Sequence, residues 1–196
     1  VYRYITGDKK HLEGECRLAV NQREYIVADF NDGLPDGKWE TYRYNVLYEK
    51  RNYKKGRLDG QVITYGADGK TVIAESTSSD GKKNGRYVTY YSNGQLSREQ
   101  EFKEGKEHGY LRTYNQDGTL KWDCNYEDGK MQGQQVQMYE SNLYGYFVKT
   151  SNYERGTLVG DYSEVYANGN VKDKGQYDKN GKKTGVWISK NMDGSL

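Results

Sequence analysis

Residues 87–92 and 95–102 form two runs rich in aromatic, β-branched and alternating residues, the composition of strands. Asn93-Gly94 separates them, a pair suited to a two-residue type I′ turn because both central residues there need a positive φ. The pattern predicts a β-hairpin. In such a hairpin Tyr91 lies opposite Leu96 and Tyr87 opposite Gln100, all on one side. Glu104-Gly105-Lys106-Glu107-His108-Gly109 then ends the pattern and starts it again. A lone hairpin of this size is marginal in water, so it must belong to something larger.

The same unit recurs along the chain, opening at Gly14, Gly37, Gly60, Gly85, Gly109, Gly133, Gly160 and Gly185. Subtracting successive positions gives steps of 23, 23, 25, 24, 24, 27 and 25 residues. Nine residues after five of these glycines stands a turn glycine preceded by Asp or Asn: Gly69, Gly94, Gly118, Gly169 and Gly194. Another glycine stands four residues before seven of the openers, as in Gly33, Gly56, Gly81 and Gly105. Self-similarity at a fixed period marks a repeat architecture. The expected fold is all-β, an elongated solenoid of about eight consecutive antiparallel hairpins forming one twisted, single-layer sheet. Residues 1–196 make a single repeat domain, with residues 1–13 as an N-terminal cap or partial repeat. The second unit carries a weaker turn pair, Asn45-Val46, and residues 143–148 read as an apolar strand reached through a wider loop.

Alternation then assigns the faces. The packed face is expected to carry Tyr87, Tyr91, Leu96 and Phe102, then Leu111, Leu120, Trp122, Cys124 and Tyr126, and later Tyr162, Tyr166, Val171 and Tyr177. The opposite, mostly polar face carries the residue five after each opener, giving Tyr42, Tyr65, Tyr90 and Tyr114 in four consecutive units. Each ring can cover its neighbouring strand. Alternatively, four rings about 9 to 10 Å apart form a platform for an extended peptide or a glycan. These four are the candidate partner-binding residues.

Composition fits a thin core made of amphipathic rings: 34% of residues are apolar, and 21 of the 196 are Tyr. The net charge of +2 gives no reason to expect nucleic acid. No apolar run of 18 residues exists, so no transmembrane segment is expected. The first residue is Val, which leaves open a removed signal peptide, as in an exported bacterial protein, or a cytoplasmic chain.

No catalytic, cofactor or metal set emerges. His11 has no second ligand at metal-binding spacing. His108 occupies a connection position held elsewhere by Asp36, Asp59, Asn84, Gln132, Val159 and Thr184, a variety that suggests a solvated turn. Arg57, Lys82, Lys106, Lys130 and Lys182 recur after connection glycines, but Asp80, Glu104 and Asp128 beside them cancel the field and predict a charge-mixed edge. Cys16 and Cys124 are four repeats apart, about 38 Å in an extended stack, and are expected to stay free thiols.

The pattern G-x-W/Y-x-x-Y, then Asn/Asp-Gly, Leu, and Tyr/Phe-x-x-Gly-x-x-x-Gly resembles the MORN repeat in its bacterial, antitoxin-like variant form. Trp39, Tyr42, Tyr87, Tyr90, Trp187 and the paired glycines carry the resemblance from about Gly14 to Leu196. It implies a row of hairpins acting as a scaffold or protein-binding module. The expected function is therefore non-enzymatic binding, with another protein as partner. An antitoxin or immunity role, or a peripheral membrane- or glycan-binding surface, stands as the alternative.

Overall fold

The computed structural model describes residues 12–141 and 145–196; His11, Leu143 and Tyr144, singled out above, lie outside them. The described residues form sixteen β-strands and no helix. Strand order in the sheet follows the chain, and the two-residue strand β5 (Arg57–Leu58) pairs β4 (Val46–Lys54) off that path. The expected all-β sheet of consecutive antiparallel hairpins is what the chain forms.

The chain divides into two compact units. One runs up to Leu96 and includes Phe102–Gly105; the other is Ser97–Glu101 with Lys106–Leu196. The first holds β1 (Gly14–Ala19), β2 (Glu24–Asn31), β3 (Leu34–Arg43), β4, β5, β6 (Gly60–Tyr65), β7 (Val72–Ser79) and β8 (Lys82–Tyr90). The second holds β10 (Lys106–Tyr114), β11 (Leu120–Glu127), β12 (Lys130–Ser141), β13 (Gly145–Glu154), β14 (Thr157–Tyr166), β15 (Val171–Tyr177) and β16 (Lys183–Ser189). Strand β9 (Leu96–Lys103) contributes residues to both.

The turns exchange the roles the sequence suggested for them. Asn93 is not among the residues with positive φ, whereas Gly94 has φ +83°. The Gly94 N–H donates to Tyr91 O (2.9 Å) and the Tyr91 N–H to Gln95 O (2.8 Å). That is a type I turn followed by one left-handed glycine, a three-residue loop with a bulge rather than a type I′ turn. Type I′ turns lie at six other connections, whereas at residues 178–182 the Gly181 N–H bonds back to Asp178 O (3.0 Å) as in the wide turns. Asp32, Lys55, Asp80, Glu104, Asp128 and Arg155 have φ near +50°, each followed by a glycine between +73° and +85°. In the repeat opening at Gly37 the positive-φ pair is Tyr44-Asn45, one residue earlier than expected.

The bulge next to each wide turn moves a few side chains across the sheet. Leu111 pairs with Cys124 and Thr113 with Trp122, as alternation requires, but Lys121 is skipped and Leu120 pairs with Tyr114. Val171 pairs with Val165 in the same way. Leu120 and Val171 thus leave the packed face assigned to them and join the tyrosine side. The rest of the packed face follows a size rule. Large rings sit beside small residues of the preceding strand: Trp39 opposite Ala28, Tyr87 opposite Ser76 and Tyr162 opposite Ser151. Ala28 and Ser151 are fully buried as a result.

This face is less apolar than expected. Gln100, Gln135, Ser151 and Glu164 are all buried. Gln100 accepts from Arg98 and donates to Glu107 Oε1 (2.6 Å), and the Ser151 hydroxyl donates to Gln135 Oε1 (2.7 Å). Glu164 accepts from the hydroxyls of Tyr139 and Tyr162 and from the Lys172 ammonium. Burial pulls the Glu164 pKa up, but these three donors outweigh it and hold the carboxyl below its ordinary value. Most of these buried polar atoms are paired, which makes them tolerable on a thin sheet, but Gln135 Nε2 has no hydrogen-bond partner among the described residues. Cys16 and Cys124 are buried and unbridged.

Candidate functional site

The opener glycines begin short bulges on the tight-turn side, where for example Ala28 pairs with Trp39 but Phe30 pairs with Pro35. The bulge turns outward the side chain just before the opener. That side chain then accepts the first amide of the next repeat's tight turn. Asp36 accepts from Lys55 N–H, Asp59 from Asp80 N–H (3.2 Å), Asn84 from Glu104 N–H and Gln132 from Arg155 N–H (2.9 Å). The turn glycine does the same with backbone: Gly56, Gly81, Gly105, Gly129 and Gly156 donate to Pro35, Leu58, Lys83, Glu107 and Met131 carbonyls at 2.7–2.8 Å. The position read as a solvated turn is therefore a structural acceptor. His108 fills it once, with a buried Nδ1 that has no hydrogen-bond partner among the described residues. Arg57 reaches the same edge and pairs with Asp80 at 2.5 Å, as a charge-mixed edge requires.

The four candidate tyrosines are all half-buried on the face opposite the buried residues just described. Tyr42 stacks on Tyr25 with centroids 4.8 Å apart and rings nearly parallel, and its hydroxyl donates to Glu40 Oε2 (2.9 Å). Tyr90 donates to Glu75 Oε1 (3.1 Å) and Tyr114 to Glu99 Oε1 (2.8 Å). In both cases the carboxylate stands fifteen residues earlier, on the neighbouring strand. Fifteen residues before Tyr65 stands Lys50, so that ring has no such carboxylate. Burial and the adjacent Glu raise the pKa of Tyr90 and of Tyr114. Each phenol is thus a fixed donor at neutral pH, suited to hydrogen bonding rather than to proton abstraction. The series ends in the sixth unit, where Met138 takes the place.

The wide-turn edge carries two grooves. In the first unit Val46, Leu47 and Ile73 with the rings of Tyr44, Tyr48 and Tyr65 line one of about 390 Å³. In the second unit Leu120, Met138, Tyr139 and Tyr146 line one of about 890 Å³, with Asp117 and Glu140 beside them. The sequence reading named Tyr65 but missed the groove, because Tyr44 reaches it only through the turn shift reported above. Among the described residues no cluster of His, Cys, Asp and Glu could hold a metal ion. No helix among them is long and apolar enough to cross a membrane.

No protein-family model matches the chain, and no curated protein matches it.

Proposed function

We propose that this protein is a non-enzymatic binding module that contacts another protein through the face bearing Tyr42, Tyr65, Tyr90 and Tyr114. The observation that supports this reading is that the rings recur at one repeat position, stay half-exposed, and in three of four cases are fixed by a carboxylate. A ring held in place loses little entropy when a partner covers it, which is how tyrosine serves recognition surfaces. The resemblance to the bacterial MORN variant favours the same class, and an immunity-type role would be one case of it.

Single Tyr65→Ala and Tyr90→Ala variants test the proposal. Losing a cross-strand ring costs about 0.2–1 kcal/mol, a melting shift of at most about 4 °C for a chain of this length. The expected outcome is near-normal melting with loss of proteins captured by the wild-type chain from the cells that make it. Capture that survives both substitutions would confine the rings to a structural role.

A further inference from the structure

The first-unit groove has one charged lining residue, Arg43, and a second guanidinium, that of Arg23, beside its Tyr44 wall. The turn carrying Tyr44 is pinned by its N–H donating to Arg23 O (2.7 Å). The Arg23 side chain then donates from Nη1 to the Tyr44 hydroxyl (3.0 Å), with its guanidinium 5.4 Å from the ring centroid. Arg43, on the groove wall, lies 3.7 Å from the centroid of Tyr48. Nearby carboxylates are already engaged: Glu24 with Arg43, Glu40 with Lys50 and Tyr42, and Glu49 with Arg51. The Asp68 carboxylate is held by the Thr71 hydroxyl and the amides of Lys70 and Thr71. Among the described residues Arg23 has a ring and a hydroxyl as side-chain partners and no ion pair. A guanidinium on an aromatic face keeps its edge donors available to a carboxylate.

We propose that this groove binds an extended acidic segment of a partner protein, seating one apolar side chain on Val46, Leu47 and Ile73 and giving a carboxylate to Arg23. The proposal rests on the binding-module reading and deepens it by naming the chemistry of the partner. A volume of about 390 Å³ is in the range that holds a bound side chain with its flanking backbone. Tyr65, whose ring lacks the carboxylate that fixes Tyr90 and Tyr114, lines this groove.

The experiment probes the full chain with an array of short peptides in which Leu, Phe or Trp is flanked by Glu, Gln or Lys. Glu-flanked peptides are expected to bind best, and Arg23→Glu and Ile73→Asp should each weaken them at least about 10-fold, since one charge-assisted bond is worth about 1.5–3 kcal/mol. Lys174→Glu, on an exposed position of the second unit, should leave them unchanged. Equal loss in Lys174→Glu would mean diffuse attraction and would overturn the proposal, as would preference for Gln or Lys flanks. Binding to anionic phosphatidylserine vesicles but to no peptide would also overturn it. If Arg23→Glu is without effect while Tyr90→Ala abolishes peptide binding, the groove assignment fails and the tyrosine face survives; if neither matters, both fail.

Discussion

The tight turn at Glu104-Gly105 and the wide turn at residues 91–95 stand at opposite ends of strand β9, and they satisfy their backbone in opposite ways. The tight turn sends its two amides to an earlier repeat, to Asn84 Oδ1 and to the Lys83 carbonyl (2.7 Å). The wide turn closes on itself: Asn93 Oδ1 accepts from Gln95 N–H (3.0 Å), and Gly94 bonds back to Tyr91. At Gly56, Gly81, Gly105, Gly129 and Gly156 one edge therefore ties a hairpin to the one before it, while the turn at Gly181 closes on itself. On the other edge the loops at residues 66–71, 91–95 and 115–119 close on themselves, and each groove there is flanked by one of them. Ties between repeats are concentrated on one edge of the sheet and self-closed loops on the other.

Gly81→Val against Gly94→Val is the strongest way to break this comparison. The two glycines have φ of +82° and +83°, and nothing lies within 4 Å of a Cβ added at either. Each substitution should cost about 1–3 kcal/mol, because a β-branched residue resists that conformation. Only Gly81→Val should separate neighbouring repeats, splitting a single urea transition into two. Identical transitions in the two variants would mean that the tight turns carry no special coupling.

A smaller effect is expected at the acceptors. Asp59→Ala removes the partner of the Asp80 N–H and should cost about 1 kcal/mol. Faster amide exchange should appear at Asp80 and Gly81, in the following repeat. Asn93→Ala should speed exchange at Gln95 alone. Exchange spreading equally far from both sites would erase the distinction between the edges.

The smallest effect concerns acid. The Thr71 hydroxyl and the amides of Lys70 and Thr71 lower the pKa of Asp68 from 3.8 to about 2. A carboxyl depressed in the folded state contributes stability above its unfolded pKa, and that contribution is lost as pH falls through the folded value. The wide turn at Asp68 should therefore loosen between pH of about 4 and about 2, seen as growing exchange at Lys70 and Thr71. The tight turn at Lys55-Gly56 should not respond to protonation of Asp68.

Much of the fold was legible because the repeat and the two-residue alternation are both written in side-chain type. What alternation could not see was the bulge, since skipping Lys121 leaves no mark in composition yet moves Leu120 across the sheet. The turn types were misread for a related reason. Asn93-Gly94 suits two geometries that share the left-handed glycine and differ in the backbone of Ser92 and Asn93. The tight turns hid behind residues such as Glu104 and Arg155, which carry positive φ against preference because the preceding repeat holds their amides. Asp36, Asp59, Asn84 and Gln132 share a position with Val159 and Thr184, and that mixture masked the acceptor oxygen the four have in common. The tyrosine series was visible as a series. The groove was not, since Arg23 and Tyr44 meet from adjoining turns twenty-one residues apart.

The self-matching tight edge also bears on how such a chain can change length across generations. A hairpin excised at its tight turns carries away one set of donors and one matching set of acceptors. A duplicated copy spliced between two others would find both sets waiting, with no orphaned amide or carbonyl at either junction. Lengthening within a copy has a different outlet. The longest step, from Gly133 to Gly160, adds its residues at the wide end, where β12 runs on to Ser141 and β13 starts at Gly145. Copy number can drift along one edge while novelty accumulates at the other.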